Sequence, residues 1–340
     1  MSSLFVAYQP GPDDFWRAII LFGRNVASFK FALGKALLDL KPEAGRLIKL
    51  EELALPFATH LREHLKGADK QGTSPRSKFL DACRKANMGE LTDDELVDAT
   101  VRLGFNNVID AFHVVSRRPV PKPFFVDERG ANGGIRITDS FSNLLEGRQA
   151  KNLGGEAEAR WRLVETAWEL GLSRSLLSIA YDDSTQALFA LDAARRRKPV
   201  TSSRPALNGY QKGRCFYCFR HIALDGPAGS DVDHFFPHTL KMLGLGSAID
   251  GIWNLVLTCR ECNRGVGGKF DLVPGVKLLA RLSRRNEYLI ESHHPLRETL
   301  MMQTGVTSAE RRRMLNGMHV RAKAALIHEW VPVEVEPPVF

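Results

Sequence analysis

Two pairs of cysteines carry the clearest chemical signal. Cys215-Phe-Tyr-Cys218 and Cys259-Arg-Glu-Cys262 are separated by 40 residues. Each pair can turn as a knuckle presenting two thiolates, and two knuckles complete a tetrahedral zinc shell. The spacer exceeds the roughly 15–20 residues of a simple zinc ribbon, so a further element must be inserted between the knuckles. Redox dithiols and buried free thiols are the competing readings. The fifth cysteine, Cys83, stands alone in a helical pattern and reads as a core or surface thiol.

The inserted stretch holds Asp231-Val-Asp-His-Phe-Phe-Pro-His238, then Trp253-Asn-Leu-Val-Leu-Thr258, which runs straight into the second knuckle. Asn263 follows that knuckle, ahead of Arg264-Gly-Val-Gly-Gly268 and Lys269. Asp231 to Phe235 alternates as a strand, Leu255 to Leu257 is a second short apolar strand, and Arg260 opens a helix. The pattern predicts strand, loop, strand and helix, pinned at both ends by one metal ion. Asp and Asn side chains are hard oxygen ligands that suit Mg²⁺. An adjacent imidazole can take a proton from water near neutral pH. A metal electrophile and a base are the minimum for phosphodiester hydrolysis.

The segment resembles the HNH nucleases of the ββα-metal superfamily in their zinc-stapled form. The family pattern is met in order by Cys215, Cys218, Asp233, His234, Pro237, Asn254, Cys259, Cys262, Asn263 and Lys269, within 55 of the 340 residues. Asn263 stands where the family name has its second His, as in many members. The resemblance implies that His234 is the general base, and that Asp233 and Asn263 hold one Mg²⁺ or Mn²⁺ ion. It implies that Asn254 bonds across the hairpin to hold the loop bearing His234, that Lys269 contacts phosphate, and that Cys215, Cys218, Cys259 and Cys262 hold a structural Zn²⁺. Asp231 reads as facing away from the catalytic ion, and His238 as a surface imidazole. The implied activity is cleavage of DNA to 5′-phosphate and 3′-hydroxyl ends, one strand at a time. The stretch Leu21 to Leu33 resembles segments that precede HNH modules in bacterial proteins of anti-phage defence, of which the HNH subunits of type II Zorya systems are one suggestion. That implies DNA, and other subunits of a defence complex, as partners. Two alternatives stay open: a zinc-stapled DNA-binding or assembly module without catalysis, and an HNH nuclease that cuts RNA.

The expected fold class is α+β. A mainly helical domain is expected over 1–203, the nuclease module over 204–275, and a helical extension over 276–340. Phe29, Leu33, Ala36, Leu37 and Leu40 recur at helical spacing, as do apolar residues from Leu47 to Leu65. Thr92-Asp-Asp-Glu95 is a capping box. Phe124 to Thr138 reads as a hairpin, Glu156 to Leu170 as an amphipathic helix, and a further helical run ends at Arg195-Arg-Arg-Lys198. The Ser/Pro/Gly-rich stretch up to Gly213 reads as a boundary, and the Pro-rich C-terminal tail as loose. The net charge of +8 is spread along the chain; it fits a polyanionic partner and a merely solvated basic surface equally well. No apolar run approaches the roughly 18–20 residues of a membrane span, and the N-terminus lacks the pattern of a secretory signal, so the expected compartment is the cytoplasm and no membrane partner is expected.

Overall fold

Helical periodicity dominates the first half of the chain, and the computed structural model folds it as helices. The structure describes residues 10–23, 27–72, 76–115, 117–169, 179–191, 197–224, 229–242, 246–292 and 294–340. The chain divides into two units, Gln9–Gly171 and Leu172–Phe340. The fold is α+β, and among the described residues no helix is long and apolar enough to cross a membrane.

In the first unit, helices Phe29–Leu40, Leu50–Gly67, Lys78–Asn87 and Ala150–Glu169 surround an aromatic core. Phe57 stacks on Phe79 at 5.6 Å, and Phe31 on Trp161 at 5.8 Å. Helix Asp93–Ala99 opens on the capping box, with Thr92 and Glu95 each satisfying the other's backbone N–H. The expected hairpin is present as strands Phe125–Glu128 and Gly134–Ile137. A helical turn, Arg129–Asn132, joins them, and Leu47–Lys49 adds a third strand. Arg17 is buried against Glu156, with paired bonds of 2.9 Å. Asp13 adds a third contact to the same guanidinium at 2.7 Å, so the buried Arg17 charge is held by two carboxylates.

The second unit departs from the sequence reading in two places, the sheet before Ser203 and the packed tail. The run expected to be helical up to Lys198 forms strands Ile179–Asp182, Ala187–Leu191 and Arg197–Ser202, an antiparallel three-stranded sheet. Alanine-rich composition favours helix locally, but the Asp182 carboxylate accepts from the N–H groups of Ser184 (3.0 Å) and Thr185 (3.3 Å) and closes a turn. Strand pairing then overrides propensity. The stretch read as a boundary contains helix Ser203–Gln211, which buries Leu207 and Tyr210. The tail read as loose is packed: Phe340 is buried, its ring 5.3 Å from Tyr210 and 5.1 Å from Phe219.

Helices Val276–Glu291, Leu296–Thr304 and Ser308–Leu326 complete this unit. The first of them reaches back to the cysteine segment. Arg281 donates to the carbonyls of Phe216 (2.6 Å) and Tyr217 (2.8 Å), and Arg285 and Asn286 both donate to the carbonyl of Trp253, at 2.9 and 3.2 Å. One helix therefore fixes both ends of the inserted element.

His113, in the first unit, links stability to pH. Its Nε2 accepts the Phe124 N–H at 2.9 Å. Burial, helped by Lys30, pulls the imidazole down from 6.5 to about 4. The unfolded chain therefore takes up a proton before the fold does, and stability falls as pH drops from 6.5 toward 4. Above that window the group contributes nothing. His113→Gln, which keeps an acceptor but does not titrate, should flatten the dependence of Tm on pH there by a few degrees. An unchanged slope would show that another group carries it.

Candidate functional site

The two knuckles converge. The four Sγ atoms of Cys215, Cys218, Cys259 and Cys262 lie within 4.8 Å of one another, and all four residues are buried. A tetrahedral ion with metal–sulfur bonds of about 2.3 Å holds its sulfurs about 3.8 Å apart. The Cys218 and Cys259 sulfurs are 3.8 Å apart. The donor set and its size are those of a bound metal such as zinc, and four thiolates this close repel one another without a cation between them.

Backbone geometry makes the first knuckle. The Cys215 N–H donates to Arg220 (2.8 Å), the Phe219 N–H donates to Cys215 (3.1 Å), and Phe219 itself adopts a left-handed φ of 61°. The Phe219 ring is buried under the Arg281 guanidinium, 4.0 Å away, and this packing offsets the strain. The C-terminal tail closes the other side, with the N–H groups of Val335 and Glu336 donating to the Cys218 carbonyl at 2.9 and 3.2 Å. Glu336 also pairs with Arg214.

The expected hairpin joins the knuckles. Strands Asp231–His234 and Leu255–Thr258 pair antiparallel, with His234 opposite Leu255 and Asp231 opposite Thr258. The outer edge of the second strand is covered by Gln211, whose side chain accepts from the Leu257 N–H (2.8 Å) and donates to the Leu257 carbonyl (2.7 Å). Asn254 is fully buried: its Oδ1 accepts from Phe236 N–H at 2.8 Å, and its Nδ2 donates to the carbonyls of Phe236 (3.0 Å) and Ile249 (2.9 Å). These bonds fix the loop that follows His234. Helix Arg260–Arg264 starts at the second knuckle and carries Asn263.

Strand alternation sends the polar residues to opposite faces. Asp233 is buried, accepting the Tyr217 hydroxyl at 2.7 Å and pairing with Lys269 at 3.2 Å. Burial pushes its carboxyl above the usual range, against the pull of Lys269 and Tyr217. Lys269 is 1% exposed, and its ammonium also donates to the carbonyls of His234 (3.0 Å) and Phe270 (3.1 Å). Its three donors therefore all face protein oxygens. Asn263 donates to Asp231 at 3.0 Å, and Arg264 pairs with the same carboxylate at 3.1 Å.

His234 faces a different neighbourhood. Its Nε2 is buried without a hydrogen-bond partner among the described residues, 3.5 Å from Asp250 Oδ1. Asp250 also meets His238 at 3.7 Å and pairs with Lys241. Tyr181, from the sheet, lies 5.9 Å from His234 ring to ring. Gly251 keeps this approach open: it bridges to Ala180, and a Cβ there would stand 2.4 Å from the Trp253 ring. Burial, and then His238, pull the His234 imidazole down to about 4, so it is neutral at physiological pH.

Asp233, His234 and Asn263 thus have separate partners. Asn263 meets Asp231, and Asp233 meets Lys269 and Tyr217. Asp231 and Asp233 are two residues apart on one strand face, a period-2 signal that the sequence already carried. Tyr217, Asp250 and Tyr181 had no such signal, because tertiary packing alone brings them in.

The cluster predicts about one equivalent of tightly bound metal per chain. Cys218→Ser should at least halve the metal found by elemental analysis and lower Tm by roughly 10 °C or more. Full metal content in that variant would mean that the four sulfurs do not form one site.

Comparison of the chain with family models, with curated proteins and with solved structures found no match.

Proposed function

We propose that the chain is a divalent-metal-dependent endonuclease of the HNH type, hydrolysing DNA phosphodiester bonds, with zinc as the ion of the four cysteines. The observation that carries this reading is His234: a neutral, buried imidazole at the end of a hairpin whose other face bears the oxygens of Asp231, Asp233 and Asn263. Zinc binding alone requires none of these residues.

Asp250 lies nearest the His234 Nε2, which favours the tautomer with the proton on that nitrogen. Nδ1 then keeps the lone pair that accepts a proton from the attacking water. Asn254 holds the loop and with it the direction of the ring. Lys241 places positive charge beside the base, where a phosphate would approach, and donates to His238 Nε2 at 2.8 Å.

The oxygen donors fit the hard-ligand chemistry of Mg²⁺ or Mn²⁺. Asn263 and Asp231 already stand together, and Arg264, which pairs with Asp231, is largely exposed and free to turn away. Asp233 becomes a ligand only if buried Lys269 yields. Asp231 with Asn263 is therefore the better-placed pair, with Asp233 behind it. An ion held there would supply charge against the phosphate and the departing oxygen.

A second reading draws on the same contact. Asp233 already has Lys269 and Tyr217 as partners, which suits a metal-stapled nucleic-acid-binding module without catalysis. One assay separates the two. With supercoiled plasmid and Mg²⁺, the wild-type chain should produce nicked circles, and His234→Ala should slow this at least about 100-fold with metal content unchanged and the chain still folded. Linear DNA and RNA in parallel identify the substrate. Wild-type protein that binds DNA but leaves every substrate intact would establish the non-catalytic reading, and undiminished nicking by His234→Ala would remove the base assigned here.

A further inference from the structure

Phe270 follows Lys269 at the rim of the site, and its backbone is strained. Its φ is 44°, in the left-handed region that bulky residues avoid. Three bonds impose that conformation. The Phe270 N–H donates to the Asn263 carbonyl at 2.9 Å, the Lys269 ammonium donates to the Phe270 carbonyl at 3.1 Å, and the Leu272 N–H donates to the Lys269 carbonyl at 2.8 Å.

Phe219 is also an aromatic with left-handed φ, but it buries its ring. Phe270 does not: it is 55% exposed, and among the described residues no other ring and no cation packs on it. The three backbone bonds hold the strained residue, while its ring packs on no other ring or cation among the described residues. The effect is to fix the backbone from which an apolar ring projects into solvent. That place is tied to the chemistry, because the ammonium that holds the Phe270 carbonyl also holds the carbonyl of His234 and pairs with Asp233. The neighbouring Asp271 accepts from Thr239 at 3.4 Å, which links this rim to the segment carrying His238 and Lys241. Arg264, largely exposed, stands at the start of the same loop.

An exposed aromatic on a fixed backbone, in the same loop as the exposed cation Arg264 and beside the site of His234, is an arrangement that can stack a nucleobase while the cation meets the backbone. A base inside a duplex offers only its edges, so its face is reached only where the strand is unpaired. We propose that Phe270 is a base-stacking residue of this site, selecting a locally unpaired nucleotide next to the phosphate presented to His234. The proposal rests on the nucleic-acid reading above and specifies which form of the strand is preferred.

The test uses the full chain carrying His234→Ala, so that nothing is cut, with fluorescein-labelled single-stranded DNA and its duplex at one fixed salt concentration. Phe270→Ala and Phe270→Gly should each weaken single-strand binding about tenfold and change duplex binding by less than about twofold, while Phe270→Trp restores the single-strand affinity. Phe270→Gly should also leave Tm unchanged or raise it, because glycine relieves the left-handed strain. Unaltered single-strand affinity in both truncations would overturn the proposal. So would a fall in Tm of several degrees for Phe270→Gly, which would make the ring structural. If the wild-type chain nicks DNA while the truncations bind normally, only this inference fails. If the wild-type chain neither binds nor cuts nucleic acid, the functional reading fails with it.

Discussion

Four sulfurs gathered at one point fix where everything else in the second unit can stand. Tyr217 lies inside the first knuckle, so closing the cluster delivers its hydroxyl to Asp233. The Lys269 N–H donates to the Cys262 carbonyl at 2.7 Å, so the second knuckle starts the loop that returns the Lys269 ammonium to Asp233 and His234. A metal such as zinc, held by four thiolates in a small fold, is worth roughly 10–16 kcal/mol of apparent binding free energy. A hairpin of two four-residue strands would be marginal without such a clamp.

The hairpin separates two electrostatic environments. On one face, carboxylates lie under cations that neutralise them. On the other, an imidazole is kept neutral chiefly by burial. Each arrangement would be costly if mixed with the other: an unpaired buried carboxylate is expensive, and a protonated imidazole near Lys241 is repelled. The strand's two-residue period keeps them apart at no cost in chain length.

Much of this was legible from residue spacing. The convergence of the cysteines followed from the two Cys-x-x-Cys pairs, and the α+β class from helical periodicity interrupted by short β-rich runs. The capping box at Thr92 and the hairpin around Gly133 were readable because each is determined by a few adjacent residues. Three features were not readable. The sheet from Ile179 to Ser202 contains an alanine-rich stretch whose local preference is helical and whose strands exist only through pairing. The tail gains its order from Phe340 entering a pocket made by Tyr210, Phe216 and Phe219, which no pattern in the tail announces. Lys269 looks like a surface cation in sequence; only the closed module reveals that it is buried.

The order of parts along the chain has a consequence for how the module matures. The four sulfurs precede Arg281 in the chain, and Val335, Glu336 and Phe340, which seal the first knuckle, come last. A growing chain therefore displays four uncovered thiols during synthesis of the last three helices. Over that interval, metal capture competes with oxidation. Capture of a metal by the four thiols can therefore precede the packing that covers them.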